Sequence, residues 1–432
     1  MRKRAVKIGI IGFGTVGRGV YRILTTNQEK LIQRVGIGLE IAGIAVRDLK
    51  KPRQISAPQD LFTADPWQLV NDPGIDIIVE VMGGTELARE LVLQALRNGK
   101  SVITANKDLI AQHGQELFAE ADAARVDLLF EASVGGGIPI IRPLKQCLAA
   151  NNISQVMGII NGTTNYMLTK MTQEGSDYEE VLREAQAMGY AEADPTADVG
   201  GFDAARKLAI LASIAFHTRI TFDQVYVEGI TRISAKDITY AREMGYVIKL
   251  LGVAKEHEGR VEVRVHPALV PQYHPLAAVN DAFNAIFVRG DAVGDTMFYG
   301  RGAGELPTAS AVVADIMDAA RNINLGNRGR ISCTCYEQKE IIPIQEMEGK
   351  YYIRLRVLDK PGVLAAIASV FGQEEVSLRT VIQKETIGDK AELVLVTHYT
   401  KEGNVRQALR TIGAMTTVEE IANVIRVEGE EV

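Results

Sequence analysis

Short, nearly continuous apolar runs at residues 6–11, 39–46, 75–81, 101–104 and 127–130 alternate with stretches of helical spacing. Runs of this kind predict strands buried on both faces, and helices between them predict a parallel sheet. The first helical stretch continues from the end of the first run to about residue 35. After Pro139 the rhythm changes. A strand is expected over 153–160, a helix after Asn161-Gly162-Thr163-Thr164-Asn165, and β-rich segments over 246–255 and 261–270. An apolar helix at 308–321 follows a glycine-rich turn. Residues 326–350 are polar, with Gly326, Gly329 and Pro343, and read as a linker. Strands at 351–358, 376–384, 391–398 and 418–427, with helices at 363–371 and 404–412, give the order βαββαβ. That is the order of a ferredoxin-like unit.

The first run ends in Gly12-Phe13-Gly14-Thr15-Val16-Gly17 and a helix follows. Strand, GxGxxG and helix in that order form the dinucleotide-binding fingerprint. Gly12 permits the tight turn, Gly14 lets the backbone approach a pyrophosphate, and Gly17 lets helix pack on strand. The second run ends at Arg47, with Lys50, Lys51 and Arg53 close behind. Asp48 lies one past Arg47, and Glu40 lies at the wrong end to grip the ribose hydroxyls. A basic strand end suits a 2′-phosphate, so NADP is favoured, with NAD possible. The later runs end near Thr85, Lys107 and Glu131, where open α/β sheets bind ligands. The expected organisation is α/β. A Rossmann-type domain spans 1–140 and is completed by a helix at about 305–325. An α+β domain for substrate binding and dimerisation spans 141–304, and a ferredoxin-like domain spans 351–428.

Residues 189–211, GYAEADPTADVGGFDAARKLAIL, carry the densest candidate chemistry. Residues 202–216 contain no proline or glycine and favour a helix. Asp203, Arg206 and Lys207 are its only charged residues, so the helix should be largely buried. Asp203 and Lys207 are one turn apart on one face. As a surface ion pair they would contribute about 0.2–0.5 kcal/mol. Beside Glu192, Asp194 and Asp198 on the loop before the helix, a buried Lys207 is instead a candidate proton donor. The carboxylates could alternatively grip a substrate ammonium.

Charge and composition narrow the classes. Lys+Arg 48 against Asp+Glu 54 argues against a general nucleic-acid binder. No apolar run is long enough to span a membrane. The basic and apolar start flows into the glycine motif and reads as a strand, not a signal peptide. The three cysteines, Cys147, Cys333 and Cys335, make no disulfide framework and read as incidental thiols of a reducing cytoplasm.

These residues resemble the homoserine dehydrogenases that carry a C-terminal ACT domain, over nearly the whole chain. The specific blocks are residues 185–207, with Gly189, Asp194-Pro195, Asp198, Gly201, Asp203 and Lys207, together with GIINGTTNYML at 158–168, TANKDL at 104–109 and EASVGGGIPII at 131–141. No kinase region is recognisable, so the resemblance is to the monofunctional form. It implies reduction of L-aspartate 4-semialdehyde to L-homoserine by NAD(P)H, within threonine, methionine and isoleucine biosynthesis. By the resemblance Lys207 donates the proton, Lys107 lies near nicotinamide and substrate, and Glu192 and Asp203 bind substrate. Thr85, Gly189, Gly302 and Gly304 join the cofactor set, the alternative for the glycine turn at 299–305 being that it only caps the helix after it. Glu131, Val134, Gly136 and Ile138 match a monovalent-cation site, Na⁺ held by carboxylate and carbonyls. Asp359-Lys360-Pro361-Gly362 is the expected effector loop, with threonine the expected amino acid, and a homodimer or homotetramer is expected. Asp108 departs from the alanine of many relatives, with little effect expected. On the residues alone, a Rossmann oxidoreductase of sugars or lactones and a non-catalytic NADP-dependent sensor stay open.

Overall fold

Strands β1 (Ala5–Ile11), β2 (Gly38–Ala45), β3 (Phe62–Thr63), β4 (Ile77–Glu80), β5 (Ser101–Thr104) and β6 (Leu128–Leu129) lie parallel in the order β3-β2-β1-β4-β5-β6. The chain order reverses between β1 and β4, which opens a crevice at their carboxyl ends. This sheet belongs to the first of two compact units, formed by Met1–Ser154, Arg206–Phe222 and Asn284–Gln338. The computed structural model describes residues 5–53, 55 and 57–429.

Ile8, Ile10, Ile44, Ile77, Val79 and Ile103 form the inside of the sheet and are fully buried. The helix Glu305–Leu325 lays Ala309, Val312, Ile316 and Ala319 on the same core. It touches the helix Thr15–Thr26 closely, because residue 19 is glycine. A Cβ there would stand 2.7 Å from the Glu305 carbonyl oxygen and 2.8 Å from Ala309 Cβ. The single helix expected to residue 35 is two helices, Thr15–Thr26 and Gln28–Val35. Its break follows Thr25-Thr26-Asn27, where the Thr25 hydroxyl donates to the Tyr21 carbonyl and helix propensity is low. The break turns Leu31 and Val35 onto the core.

The second unit comprises Gln155–Ala205, Asp223–Phe283 and Lys339–Val432. A long antiparallel hairpin, Tyr246–His257 with Arg260–Pro271, runs in unbroken register from Arg260↔His257 to Pro271↔Tyr246. The last four long strands pair antiparallel in the order Val418–Val427, Glu348–Leu358, Lys390–Thr397, Leu378–Ile387. With the helices Val363–Gln373 and Glu402–Gly413 they make the expected βαββαβ arrangement, closed over Ile353, Leu355, Ile367, Phe371, Leu395 and Ile412.

This C-terminal sheet is continuous with the hairpin. Val418–Val427 pairs in parallel with Arg260–Pro271 through Ala268↔Arg426 and Leu269↔Val427. Residues 340–341 add to the other end of Arg260–Pro271. The seam is charged and buried. Glu428 accepts from Arg264 at 2.6 Å and from Lys255 at 3.1 Å, with Glu262 beside both cations. Arg426 holds Glu402 and Glu228, and Arg354 holds Asp237 and Glu392. Among the described residues no helix is long and apolar enough to cross a membrane.

Candidate active site

The glycine turn after β1 is shaped by sterics. Gly12 has φ +104, and a Cβ on it would stand 2.6 Å from the Val81 carbonyl oxygen. On Gly17 a Cβ would stand 2.2 Å from the Gly12 carbonyl oxygen, whereas nothing lies within 4 Å of one on Gly14. The turn is thus closed on the protein side and open at Gly14, the N-cap of Thr15–Thr26. No side chain caps that helix, so its first N–H groups remain for an anion. Thr15 and Val16 form its first turn. Phe13 is braced edge-on by Tyr21 and Phe62. These residues fit a dinucleotide.

At the end of β2, Arg47 is exposed. Arg53 turns back instead, donating to the carbonyls of Leu49 and Asp48 and stacking 4.5 Å from the Phe62 ring centre. Arg47 is therefore the guanidinium at this strand end that the local fold leaves to solvent.

The neighbouring strand ends are fixed by a polar clamp that sequence reading missed. Glu80, fully buried at the end of β4, accepts from the Thr104 hydroxyl at 2.7 Å and from the Met82 amide at 3.0 Å. Burial raises its pKa against those hydrogen bonds. Asn106 donates to the Gly84 carbonyl at 2.7 Å and caps the helix Lys107–Ala124 through the Leu109 amide. Thr85 starts the helix Glu86–Arg97, and Lys107 is the first residue of its own helix, half-buried. Asp108 pairs with Arg206 at 3.3 Å. In the first unit this ties the start of the Lys107 helix to the segment that carries Lys207. The Asp108 departure thus has a structural partner.

Glu131 is buried after β6. Its carboxylate accepts the amides of Ile140, Ile141 and Arg142 at 2.6, 2.8 and 2.7 Å. A carboxylate holding three amides is engaged within its own loop, so a cation there would be met by main-chain carbonyls. The Glu131 amide donates to Asp315, which Arg142 also grips at 2.7 Å. Burial, then the Glu131 charge, pushes Asp315 up to about 7. Gly136, at φ +55, lies against Gly302, whose carbonyl oxygen would be 2.3 Å from a Cβ. Ile138 donates its amide back to Gly135, and Val134 is fully buried. Gly304, at φ +124, caps the helix Glu305–Leu325. The 301–305 turn therefore both caps a helix and packs on the Gly136 loop.

In the second unit, Asn161 organises the acidic loop. Its side-chain amide donates to Asp198 at 2.7 Å and to Asp203 at 2.9 Å, and its oxygen caps the helix Gly162–Glu174. The sequence signal was an asparagine at a helix start. Gly189 makes a positive-φ turn. Thr163 holds the Tyr190 carbonyl at 2.7 Å, and Gln186 reaches the Glu192 carbonyl at 3.1 Å, with the Glu192 side chain exposed. Gly229 stands against this loop, where a Cβ would lie 2.2 Å from the Val199 carbonyl oxygen.

The helix Phe202–Ala215 buries Ala204, Ala205, Leu208 and Leu211. Asp203 and Lys207 lie one turn apart and are both half-exposed. Lys207 is thus partly covered, to the same class of burial as Lys107. The Asp359-Lys360-Pro361-Gly362 loop is exposed. Gly362 caps Val363–Gln373 at φ +88, and Asp359 donates its amide to the Asp389 carbonyl.

Family models cover most of the chain. A homoserine dehydrogenase NAD-binding model matches residues 12–131, a homoserine dehydrogenase model matches 139–317, and an ACT model matches 351–414. The homoserine dehydrogenase of Corynebacterium glutamicum is 50% identical over 98% of this chain and 96% of its own. The crystal structure of one from Thiobacillus denitrificans superposes with a TM-score of 0.93, at 44% identity over 98% of both chains. A hyperthermophilic archaeal homoserine dehydrogenase in complex with NADPH is 27% identical, with a TM-score of 0.61 over 73% of this chain and 97% of that one. With full-length relatives at this identity and both catalytic-part models matched, the chain belongs to the homoserine dehydrogenase family of oxidoreductases and carries a C-terminal ACT domain.

Proposed function

We propose that the chain reduces L-aspartate 4-semialdehyde to L-homoserine with NADPH, and that Lys207 gives the proton to the nascent alkoxide. The observation that carries this reading is the Asn161 clamp. One amide holds Asp198 and Asp203 one helical turn before Lys207. Two carboxylates fixed in this way suit a substrate ammonium, with Glu192 contributing from the exposed loop. The bound nicotinamide supplies the hydride. Lys107, at the first position of its helix, orients the substrate near the nicotinamide. An NADPH-oxidation assay with aspartate semialdehyde tests the reading, and turnover on sugars or lactones alone would overturn it.

NADP preference rests on exposed Arg47, and the archaeal NADPH complex supports a phosphorylated cofactor. Thr85, Gly189, Gly302 and Gly304 complete the cofactor set. A monovalent cation, Na⁺ by family resemblance, suits the carbonyls of Glu131, Val134, Gly136 and Ile138, with the Glu131 carboxylate fixing the loop. Its role would be to hold that loop's carbonyls in one arrangement. The domain bounds that go with this reading are 1–140 with 305–325 for the cofactor, 141–304 for substrate and dimer contacts, 326–350 as connector and 351–428 as ACT domain. A cytoplasmic homodimer or homotetramer completes it.

Threonine is the effector we assign to the loop 359–362, where exposed backbone at a helix start suits a ligand carboxylate. Inhibition requires tighter binding to the less active state, typically by about 1–3 kcal/mol. Gly362→Val, which strains a φ of +88, should abolish threonine inhibition while leaving turnover. Calorimetry that detects no threonine binding to the full chain would remove this assignment.

A further inference from the structure

Cys333 and Cys335 line a cavity of the first unit together with Lys145, Arg219, Phe118 and Phe130. Both thiols are half-buried, lie two residues apart in the chain, and each shifts the charge of the other. Arg219 donates to Cys333 Sγ at 3.7 Å, and Cys335 Sγ reaches the Ser213 carbonyl at 3.6 Å. The Lys145 ammonium lies 5.2 and 5.7 Å from the ring centres of Phe118 and Phe130. Two cations thus converge on a dithiol. This is not the setting of an inert buried cysteine, and electropositive, partly exposed surroundings are what make a thiol reactive.

We propose that Cys333 and Cys335 form a redox-modifiable dithiol, with Cys333 the attacking thiolate toward low-molecular-weight disulfides and Cys335 the resolving thiol. Cys333 Sγ⁻ attacks one sulfur of the disulfide, the S–S bond breaks, and one thiolate leaves. Cys335 then gives up its proton and attacks Cys333 Sγ, expelling the second thiolate and closing an internal disulfide. Starting from the Cys333 thiolate and the Cys335 thiol, the chain loses two electrons and one proton, and the small disulfide takes them up to leave as one thiol and one thiolate, the thiolate being protonated by solvent. The electrostatics fit this order. The hydrogen bond from Cys335, helped by Arg219 and Lys145, lowers the Cys333 pKa, while the same pairing raises that of Cys335. Consuming the Cys333 thiolate removes that restraint on Cys335.

The exposed Cys147 is an internal reference. The full chain is incubated with oxidised glutathione, and peptides are mapped by mass spectrometry. Cys333 and Cys335 should lose one hydrogen each and join, with no retained glutathione, while Cys147 stays alkylatable. Cys335→Ser should instead trap a single glutathionyl group on Cys333. Iodoacetamide at slightly acidic pH should label Cys333 roughly tenfold faster than Cys147, and Arg219→Gln should slow that labelling. The proposal is overturned if Cys147 reacts as fast as Cys333. A stable mixed disulfide on Cys333 of the unmodified chain, or unchanged labelling in Arg219→Gln, would overturn it too.

Discussion

The two units bury carboxylates in opposite ways. In the first unit Glu80, Asp127 and Asp315 are raised, burial being the largest cause in each. Amides and hydroxyls surround Glu80, and Asp315 has a guanidinium within hydrogen-bond distance. In the second unit burial acts the same way on Asp237, Glu392, Glu402 and Glu428, yet all four are lowered. Arg354, Arg426, Arg264 and Lys255 outweigh the desolvation. Dipoles hold the strand ends of the cofactor sheet, and full charges weld the C-terminal sheet to its neighbour. The side chains proposed to do chemistry belong to neither set. Lys107, Asp203 and Lys207 are only half-buried and Glu192 is exposed. In this chain deep burial of charge marks architecture, and accessible charge marks the proposed reaction.

The largest effect expected is catalytic. Lys207→Ala should lower kcat by about 10²–10⁴ with little change in melting temperature, because the residue is half-exposed. Steady-state rates and a thermal melt on the same preparation check this. A fall in melting temperature as large as that of a seam variant would erase the distinction.

Glu428→Gln tests the seam. Breaking a buried ion pair from one side costs about 3–5 kcal/mol, since Arg264 and Lys255 then face only Glu262. Denaturant unfolding should show that loss, while rate per folded molecule persists. A cut before residue 350 would remove Glu428 as well, so effector tests are better made by point substitution.

Acid should separate the units. Glu402 falls from 4.5 to about 2 on folding, so its contribution is complete above pH 4.5 and is lost as pH drops toward 2. That is of order 3 kcal/mol. Glu80 is raised, so protonation as pH falls toward 4.5 relieves the first unit instead. Hydrogen exchange at pH 3.5 should therefore open peptides around 260–271 and 402–427 before those around 77–104. The reverse order would refute the comparison.

Arg47→Ala should raise KM for NADPH roughly tenfold, the scale of a charged hydrogen bond, and leave KM for NADH nearly unchanged. Equal changes would show that Arg47 does not read a phosphate. The smallest effect belongs to Glu80→Gln, which keeps the shape and removes the desolvated charge. Its stability should stay within about 1 kcal/mol of the parent, in contrast with Glu428→Gln.

Strand positions were legible where apolar runs were bounded by turns. Residues 101–104 and 418–427 are strands as expected, because local pattern alone decides them. The glycine turn was legible for the same reason. The polar clamps were not. In sequence Glu80 is only the end of an apolar run, Arg264 only one position of a β-rich segment, and Asp315 only one charge on a helix. Their partners are distant, with 164 positions between Arg264 and Glu428 and 184 between Glu131 and Asp315. Periodicity carries no information about such pairs.

The charged seam also sets an order on biosynthesis. Arg264 leaves the ribosome 164 residues before Glu428. At roughly 5–20 residues per second that gap is about 8–30 s. During it the strand Arg260–Pro271 holds Arg264 with Glu262 as its only seam carboxylate. The nascent hairpin therefore waits with its edge at residues 268–269 unpaired and with an under-compensated guanidinium. A chaperone that covers strand edges would find its substrate there, until the last strand arrives and closes the sheet.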